Sequence, residues 1–208
     1  MAITYVGAGA AQVGDISGNV TIPVPSGYSA GDLLVIVGIF NSAPTISGWT
    51  LATNLTTKVL YKFASASESS VSTNVGNNQN TAQMFAYSGV ASFNSASSSD
   101  TTGTSASMNF GPITTTAANC LVIDSGTTYP TFVSIGTPSG TNSRSIIPSN
   151  GTTIGFVVAD FILVTTGSSG IQSASLSSSI QWTTNAVAFA PSVAPVVVTN
   201  GNFFMMFK

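Results

Sequence analysis

The ionisable residues of this chain are few, and their types limit the chemistry it can perform. Its 208 residues include four Lys and Arg, six Asp and Glu, one Cys and no His. Without His, neither Ser-His-Asp nor Cys-His catalysis is possible, and the commonest zinc ligand is missing. The glycines form no recognised phosphate-binding loop, and no calcium loop of alternating Asp and Asn is present. We therefore expect no nucleotide chemistry, no metal and no cofactor.

Paired carboxylates are the remaining catalytic possibility, because glycoside hydrolysis needs only two acids at a suitable separation. Asp124 and Asp160 both lie in apolar stretches, where burial would raise the pKa of an acid catalyst. In the alternative interpretation, Asp160 points outward, bonds a neighbouring loop or pairs with Arg144. The other candidate acids are Asp32, Asp100 and Glu68. We favour a structural role for these carboxylates and expect no enzymatic activity.

Two further polar residues fit ordinary structural roles. Asp32 follows Gly31 at the start of an apolar run, where a carboxylate accepts backbone N–H groups of a turn. Cys120 stands inside an apolar strand pattern and is predicted to be a small core residue. Because it is the single Cys, no disulfide within the chain can stabilise the fold.

The aromatic residues suggest a second kind of site, a platform on which a sugar ring could stack. Trp49, Tyr129 and Trp182 are the candidates, with Asn-rich loops supplying amides. Trp49 follows Gly48, a setting that favours a core position at one end of a β-sandwich over an exposed platform. Nothing in the sequence places the three rings at a common site.

Composition predicts an all-β protein with an uncharged surface. Only 5% of residues are charged, against about a quarter in ordinary soluble proteins. Ser, Thr, Asn and Gly replace the charges, and these residues favour strands and turns over helices. Such a surface suits extracellular or virion-surface proteins. Four basic residues are too few to bind nucleic acid or an acidic membrane surface.

The start of the chain and its apolar runs indicate how the protein would leave a cell. Residues 1–4 contain no basic, apolar signal sequence, and no run reaches the 18 apolar residues of a membrane span. We therefore expect no membrane association, and release by lysis or by a dedicated machine.

Two long apolar stretches predict the central strands. Residues Gly31 to Phe40 are rich in β-branched side chains, and Ile154 to Val164 is apolar on both faces. The second stretch is therefore central in a sheet or in contact with another subunit. Shorter alternating segments complete an antiparallel two-sheet β-sandwich, jelly-roll-like in type.

Two pairs of similar segments suggest an internal duplication. Ala30 to Ile36 resembles Ala118 to Asp124, and Thr81 to Tyr87 resembles Thr184 to Ala190. Each pair is short enough to reflect shared strand chemistry alone. Both pairs support two similar groups of strands.

The predicted organisation is a β-sandwich domain over residues 1–190 and an extended arm over residues 191–208. Residues 91–107 are poor in large apolar side chains and form either an exposed loop or a seam between two halves. The arm ends in five large apolar residues that would aggregate if left in water, so we expect a last strand or, preferably, contact with a neighbouring subunit. These predicted assembly contacts are Phe203, Phe204, Met205, Met206 and Phe207.

Several short motifs, spread over residues 28 to 190, together resemble minor structural and appendage proteins of tailed bacteriophages. The acidic residue that the resemblance leads one to expect after Ala64 comes only at Glu68, and Ser-rich stretches replace more varied loops. The resemblance implies a β-sandwich virion component without catalytic residues. The motifs are Gly31-Asp32-Leu33-Leu34-Val35, Gly48-Trp49-Thr50, Tyr61-Lys62-Phe63-Ala64, Ala86-Tyr87-Ser88-Gly89-Val90 and Trp182 to Ala190.

These observations lead to one functional expectation and one alternative. The expectation is a non-enzymatic virion protein that decorates or cements a phage head or forms part of a tail or fibre. It would assemble in the host cytoplasm, self-associate, preferably as a trimer, and dock on other virion proteins. The alternative is a carbohydrate-binding adhesin that recognises a host surface glycan.

Overall fold

A computed structural model describes residues 1–14, 19–74, 80–129, 131–149 and 154–192 of the protein. These residues form sixteen β-strands arranged in antiparallel sheets, and none of them is in a helix. In this part of the chain there is accordingly no helix long and apolar enough to span a membrane. The all-β sandwich predicted from composition is confirmed. Its jelly-roll character stays a prediction.

The first eight strands pair only with one another. The large sheet has the order β1-β8-β4-β6-β5, with β2 also paired to β8, and β3 pairs with β7 in a separate ribbon. The strands are β1 (Thr4–Ala8), β2 (Gln12–Gly14), β3 (Asn19–Ile22), β4 (Leu33–Ile39), β5 (Thr50–Asn54), β6 (Lys58–Phe63), β7 (Val71–Asn74) and β8 (Asn80–Ser88).

The last eight strands repeat this arrangement. The second large sheet has the order β10-β16-β12-β14-β13, with β9 also paired to β16, and β11 pairs with β15. Strands β9 to β16 therefore pair with one another in the same way as β1 to β8 do, each strand corresponding to the one numbered eight lower. The strands are β9 (Val90–Ala96), β10 (Thr101–Phe110), β11 (Thr114–Thr115), β12 (Cys120–Thr128), β13 (Asn142–Ile147), β14 (Gly155–Leu163), β15 (Gly167–Ser168) and β16 (Gln172–Pro191).

The strand register makes the two halves correspond residue by residue. Leu33 of β4 lies opposite Tyr87 and Phe63, while Leu121 of β12 lies opposite Phe189 and Ile162. Leu121 is thus the equivalent of Leu33, the alignment that the first pair of similar segments suggested. The second pair was wrong by one residue, because the same register makes Phe189, and not Ala190, the equivalent of Tyr87.

Local backbone features recur at equivalent places. Gly31 before β4 and Asn119 before β12 both have positive φ, 89° and 57°, a conformation that Gly and Asn tolerate best. The edge strands β5 and β13 each contain a β-bulge at their third residue, which is Ala52 in β5 and Arg144 in β13. Shared register, turns and bulges together indicate that the two halves are an internal duplication.

The two large sheets pack face to face around one central core. Alternate residues of β4 and β12, including Leu33, Val35, Leu121 and Ile123, point into this core and are almost completely buried. The intervening residues, such as Leu34 on β4, point to the opposite face of their sheet. Each sheet is therefore apolar on both sides.

The outer face of each large sheet has its own apolar cover. In the first half, Val20, Ile22 and Val71 of the β3–β7 ribbon pack on Leu34 and neighbouring residues. In the second half, Ile113 covers the apolar side chains around Val122, and Val133 and Ile135 cover those around Phe110. The predicted central positions of β4 and β14 are confirmed, since each is paired on both sides.

Two segments differ from the sequence-based expectation. Residues 91–107, predicted as a loop or a seam, contain most of β9 and β10. The Ser-rich residues before Trp182 belong to the same 20-residue strand as the Trp182 to Ala190 motif. Ser and Thr side chains on exposed strands weaken the alternation of apolar and polar residues in the sequence. They do not interrupt the backbone hydrogen bonds that pair the strands. Of the predicted arm, residues 193–208, including Phe203 to Phe207, lie outside the described residues.

Candidate functional site

The best-defined charged cluster surrounds Asp160, in the crevice between the two halves. Asp160 on β14 is 2% exposed, and its carboxylate accepts hydrogen bonds from Arg144 Nε at 2.5 Å and Nη2 at 3.0 Å. The Tyr87 hydroxyl of β8 donates to Oδ2 at 2.8 Å, and Asn142 Nδ2 lies 3.3 Å from Oδ1. The predicted pairing of Asp160 with Arg144 is confirmed. We call these residues, with Tyr5, the Asp160 cluster.

Tyr5 of β1 completes the cluster by packing its ring under the guanidinium group. Arg144 Cζ lies 3.9 Å from the centre of the Tyr5 ring, and the Tyr5 and Tyr87 rings meet edge to face at 5.5 Å. Burial, reinforced by Asp160, raises the pKa of Tyr87 well above its ordinary value. Burial alone would lower the pKa of Arg144, but the hydrogen bonds and charge of Asp160 outweigh it and raise this pKa. Arg144 and Tyr87 therefore keep their protons and act as fixed donors.

The internal duplication relates the Asp160 cluster to a second cluster of side chains between the two halves. The strand registers make Tyr61, Phe93 and Phe189 the equivalents of Asp160, Tyr5 and Tyr87. Their rings form a compact cluster: Tyr61 stacks on Phe93 at 5.7 Å and meets Phe189 edge to face at 5.3 Å. Two clusters thus join the halves, one ionic and one aromatic.

The second buried acid, Asp124, is in a different environment. It is 1% exposed, its Oδ2 has no hydrogen-bond partner among the described residues, and burial raises its pKa to about 8. Its equivalent in the first half is the core residue Ile36. Asp124 lies opposite Ala159, whereas Asp160 lies opposite Ile123, so the two carboxyl groups project from opposite faces of the sheet. The structure does not bring them together as an acid pair.

A buried polar cluster that the sequence did not reveal also joins the halves. Thr57 precedes β6 in the first half, and Ser125 and Asn185 belong to the second. The Thr57 and Ser125 hydroxyl oxygens are 2.6 Å apart, and each lies 2.8 Å from Asn185 Oδ1. Asn185 Nδ2 donates to the Thr57 carbonyl at 3.0 Å. No sequence signal links these residues, because their partners are between 60 and 128 positions apart.

The remaining acids among the described residues accept hydrogen bonds from backbone or side-chain donors. Asp32 Oδ2 accepts the Ser29 N–H at 2.8 Å, which confirms the predicted turn cap. Glu68 pairs with Lys62 at 2.7 Å and accepts the Ser65 N–H at 2.7 Å. Asp100 accepts hydrogen bonds from the N–H and hydroxyl groups of Thr56. In the described part of the chain, no three His, Cys, Asp or Glu side chains are grouped to hold a metal ion.

Cys120 is fully buried, as predicted for a small core residue. Its thiol donates to the Ala117 carbonyl at 3.2 Å, and burial raises the pKa of the thiol. A raised pKa reduces the fraction of reactive thiolate.

The three aromatic residues of the predicted glycan platform lie in different surroundings. Trp182 is 4% exposed in the second half's outer core, and its Nε1 donates to Ser105 Oγ at 3.1 Å. Trp49 is half-buried: it packs against the first half's outer core and also lines a surface cleft beside Lys62 and Glu68. Tyr129, at the end of β12, is 56% exposed. Of the three rings, Tyr129 is the most exposed to solvent.

Besides a cleft of about 410 Å³ that is lined by the Asp160 cluster, two clefts at the surface are large enough to hold a ligand or a peptide segment. One, of about 400 Å³, has Tyr129 on its wall, together with Thr127, Gln181 and Thr183; we call it the Tyr129 groove. The other, of about 660 Å³, is mostly apolar and is lined by Ile3, Ala118, Asn119, Ile162, Pro191 and Ser192, with Met1 and Ala2. We call it the terminal cleft.

The fold and these clusters define an all-β protein built from two equivalent halves, whose large antiparallel sheets pack together as one sandwich. Comparisons with protein-family models, with curated proteins and with solved structures yield no match.

Proposed function

We propose that this chain is a non-enzymatic structural protein of a bacteriophage particle, either a head decoration protein or a component of a tail or fibre. The observation that carries the proposal is the Asp160 cluster. The charges of Asp160 and Arg144 neutralise each other. Under the internal duplication, the Asp160 cluster is equivalent to the aromatic packing cluster of Tyr61, Phe93 and Phe189. This arrangement suits a clasp between two halves better than a reacting centre.

The terminal cleft supports self-association as the mode of assembly. It is largely apolar and lies beside Ser192, the last described residue. Eleven positions later the sequence contains five consecutive large apolar residues, Phe203 to Phe207. We propose that this segment docks in the terminal cleft of a neighbouring copy, which would remove both apolar surfaces from water. A closed ring such as a trimer would satisfy every cleft.

Deleting residues 193–208 tests this mode of assembly. We expect the truncated chain to remain folded, to become monomeric in sedimentation analysis and to be lost from particles examined by mass spectrometry. Normal incorporation of the truncated chain would refute the proposed docking.

Two point variants distinguish an effect of the terminal cleft from the effect of any polar substitution at the surface. Ile162→Gln places an amide in the terminal cleft, where the Ile side chain is 40% exposed. Ile171→Gln makes the same change at a 67% exposed residue that does not line this cleft. We expect the first variant, and not the second, to weaken self-association. Equal effects would argue against the cleft as the docking surface.

A further inference from the structure

The Tyr129 groove combines an exposed aromatic ring with uncharged hydrogen-bonding groups. Thr127 lies opposite Thr183 in the register of β12 and β16, so both side chains project from the same face of the sheet. Tyr129 and Gln181 each lie two residues from one of this pair, and the Tyr129 N–H donates to the Gln181 carbonyl at 3.2 Å. Backbone pairing therefore holds the ring beside the Gln181 side chain.

The side chains around the groove differ in accessibility in a way that suits binding. Tyr129 is 56% exposed, Gln181 and Thr56 are exposed, and Thr183 is half-buried. The Gln181 amide has no hydrogen-bond partner among the described residues, so its donor and acceptor are open to a ligand. Ile39 forms an apolar part of the wall. The volume of about 400 Å³ lies within the range of small-molecule sites, about 300 to 1,000 Å³.

The charge distribution indicates which ligands this groove would accept. None of the described residues that line it carries a charge. Asp100 accepts hydrogen bonds from the Thr56 backbone and hydroxyl on the rim. Lys58 donates to the Leu55 carbonyl and interacts with Asp100, so the lining residues offer an acidic ligand no free cation. A neutral sugar instead presents C–H groups to an aromatic face and hydroxyls to amides and threonines.

We propose that the Tyr129 groove binds a neutral glycan, with Tyr129 as the stacking surface and Gln181 as the amide that bonds sugar hydroxyls. This site differs from the platform suggested by the sequence, since Trp182 is buried and Trp49 does not line the groove. The inference is independent of the proposed virion role, because a glycan could be bound by a free protein or by an assembled particle.

The test is binding of the full chain to an array of neutral and acidic oligosaccharides, followed by calorimetric titration of the strongest neutral ligand. We expect Tyr129→Ala to weaken binding at least tenfold, Tyr129→Phe to retain most of it, and Gln181→Ala to weaken it several-fold. Phe132→Ala is the matched control, because Phe132 is 82% exposed and does not line the groove. It should bind as the parent does.

Thermal unfolding of each variant shows whether its fold is intact. Retained binding by a folded Tyr129→Ala variant, equal loss in Phe132→Ala, or binding of acidic glycans alone would each overturn the inference. So would an absence of binding to every neutral oligosaccharide on the array. None of these outcomes depends on particle incorporation, so failure here is distinct from failure of the assembly proposal.

Discussion

Asp160 shows how one residue can look catalytic in sequence and be structural in the fold. A carboxylate in an apolar strand has a high desolvation cost, which must be offset by partners or by protonation. Here Arg144 and Asn142 of β13 and Tyr87 of β8 supply the partners, so two strands other than that of Asp160 contribute. Asp160 is 2% exposed at the wall of a cleft of about 410 Å³, and both of its carboxylate oxygens accept hydrogen bonds.

The first prediction concerns the loss of this charge. Asp160→Asn should lower the free energy of unfolding by about 3 to 5 kcal/mol, because it leaves the partly buried Arg144 without a counter-ion. Urea unfolding followed by circular dichroism measures the change. Arg144→Met combined with Asp160→Asn should recover part of the loss. A single variant within about 1 kcal/mol of the parent would contradict the clasp interpretation.

The second prediction concerns pH and Asp124. Its folded pKa of about 8 lies above the unfolded value, near 3.9, so the folded state binds more protons between these limits. This carboxyl group therefore contributes stability below about pH 4 that is lost as the pH rises to about 8. The total contribution is on the order of 5 kcal/mol at about 1.4 kcal/mol per pH unit.

Asp124→Asn isolates this contribution, because the amide cannot ionise. Relative to the parent, the variant should gain stability steadily between pH 5 and pH 8, measured by urea unfolding at each pH. A parallel dependence in the two proteins would mean that Asp124 is already ionised in the folded state.

At the scale of the strands, the duplication explains why certain glycines recur. Gly38 of β4 and Gly126 of β12 are equivalent under the residue correspondence. A Cβ atom at Gly38 would lie 2.6 Å from the Phe40 ring and 2.9 Å from the Ala82 Cβ. At Gly126 it would lie 2.8 Å from Met108 Sδ. Each half therefore keeps a strand position empty so that large side chains can approach the sheet.

The third prediction follows from this close packing. Gly38→Ala should destabilise the protein by about 1 to 3 kcal/mol through overpacking. Gly7→Ala is the control, because its Cβ would lie 3.4 Å from the nearest atom, Ser26 O, which is ordinary contact. Thermal unfolding of both variants gives the comparison. Similar losses in the two would attribute the effect to backbone entropy or strand propensity and not to packing.

At the scale of the molecule, the two halves share one core. Residues of both large sheets, such as Val35 and Ile123, bury their side chains against each other, and a polar cluster around Asn185 spans the same interface. Separating the halves would expose the apolar inner face of each sheet to water. We therefore expect the halves to fold and unfold together despite their separate hydrogen-bonded sheets.

The fourth prediction uses the single tryptophan in each half. Trp182→Phe leaves Trp49 to report on the first half, and Trp49→Phe leaves Trp182 to report on the second. Within each variant, the fluorescence and circular dichroism transitions in urea should coincide, as expected for one cooperative unit. If the fluorescence of either tryptophan changed at a lower urea concentration than the circular dichroism signal, the halves would be shown to unfold independently.

Much of the fold was determined locally and could be predicted from the sequence. The abundance of Thr, Val and Gly and the scarcity of charge select strands and turns over helices. The dense apolar run at β4 requires burial on both faces, and the Asp32 cap depends on a carboxylate only three residues from its partner, Ser29. Each of these features depends on neighbouring residues.

Contacts between distant residues were decided only by the tertiary structure. The partners of Asp160, the burial of Trp182 and the exposure of Tyr129 depend on which strands pair and in which register. A shift of one residue moves a side chain to the opposite face, so short sequence similarities could suggest the duplication but misplace its second half by one position. The Tyr129 groove likewise exists because β12 and β16, distant in sequence, are neighbours in one sheet.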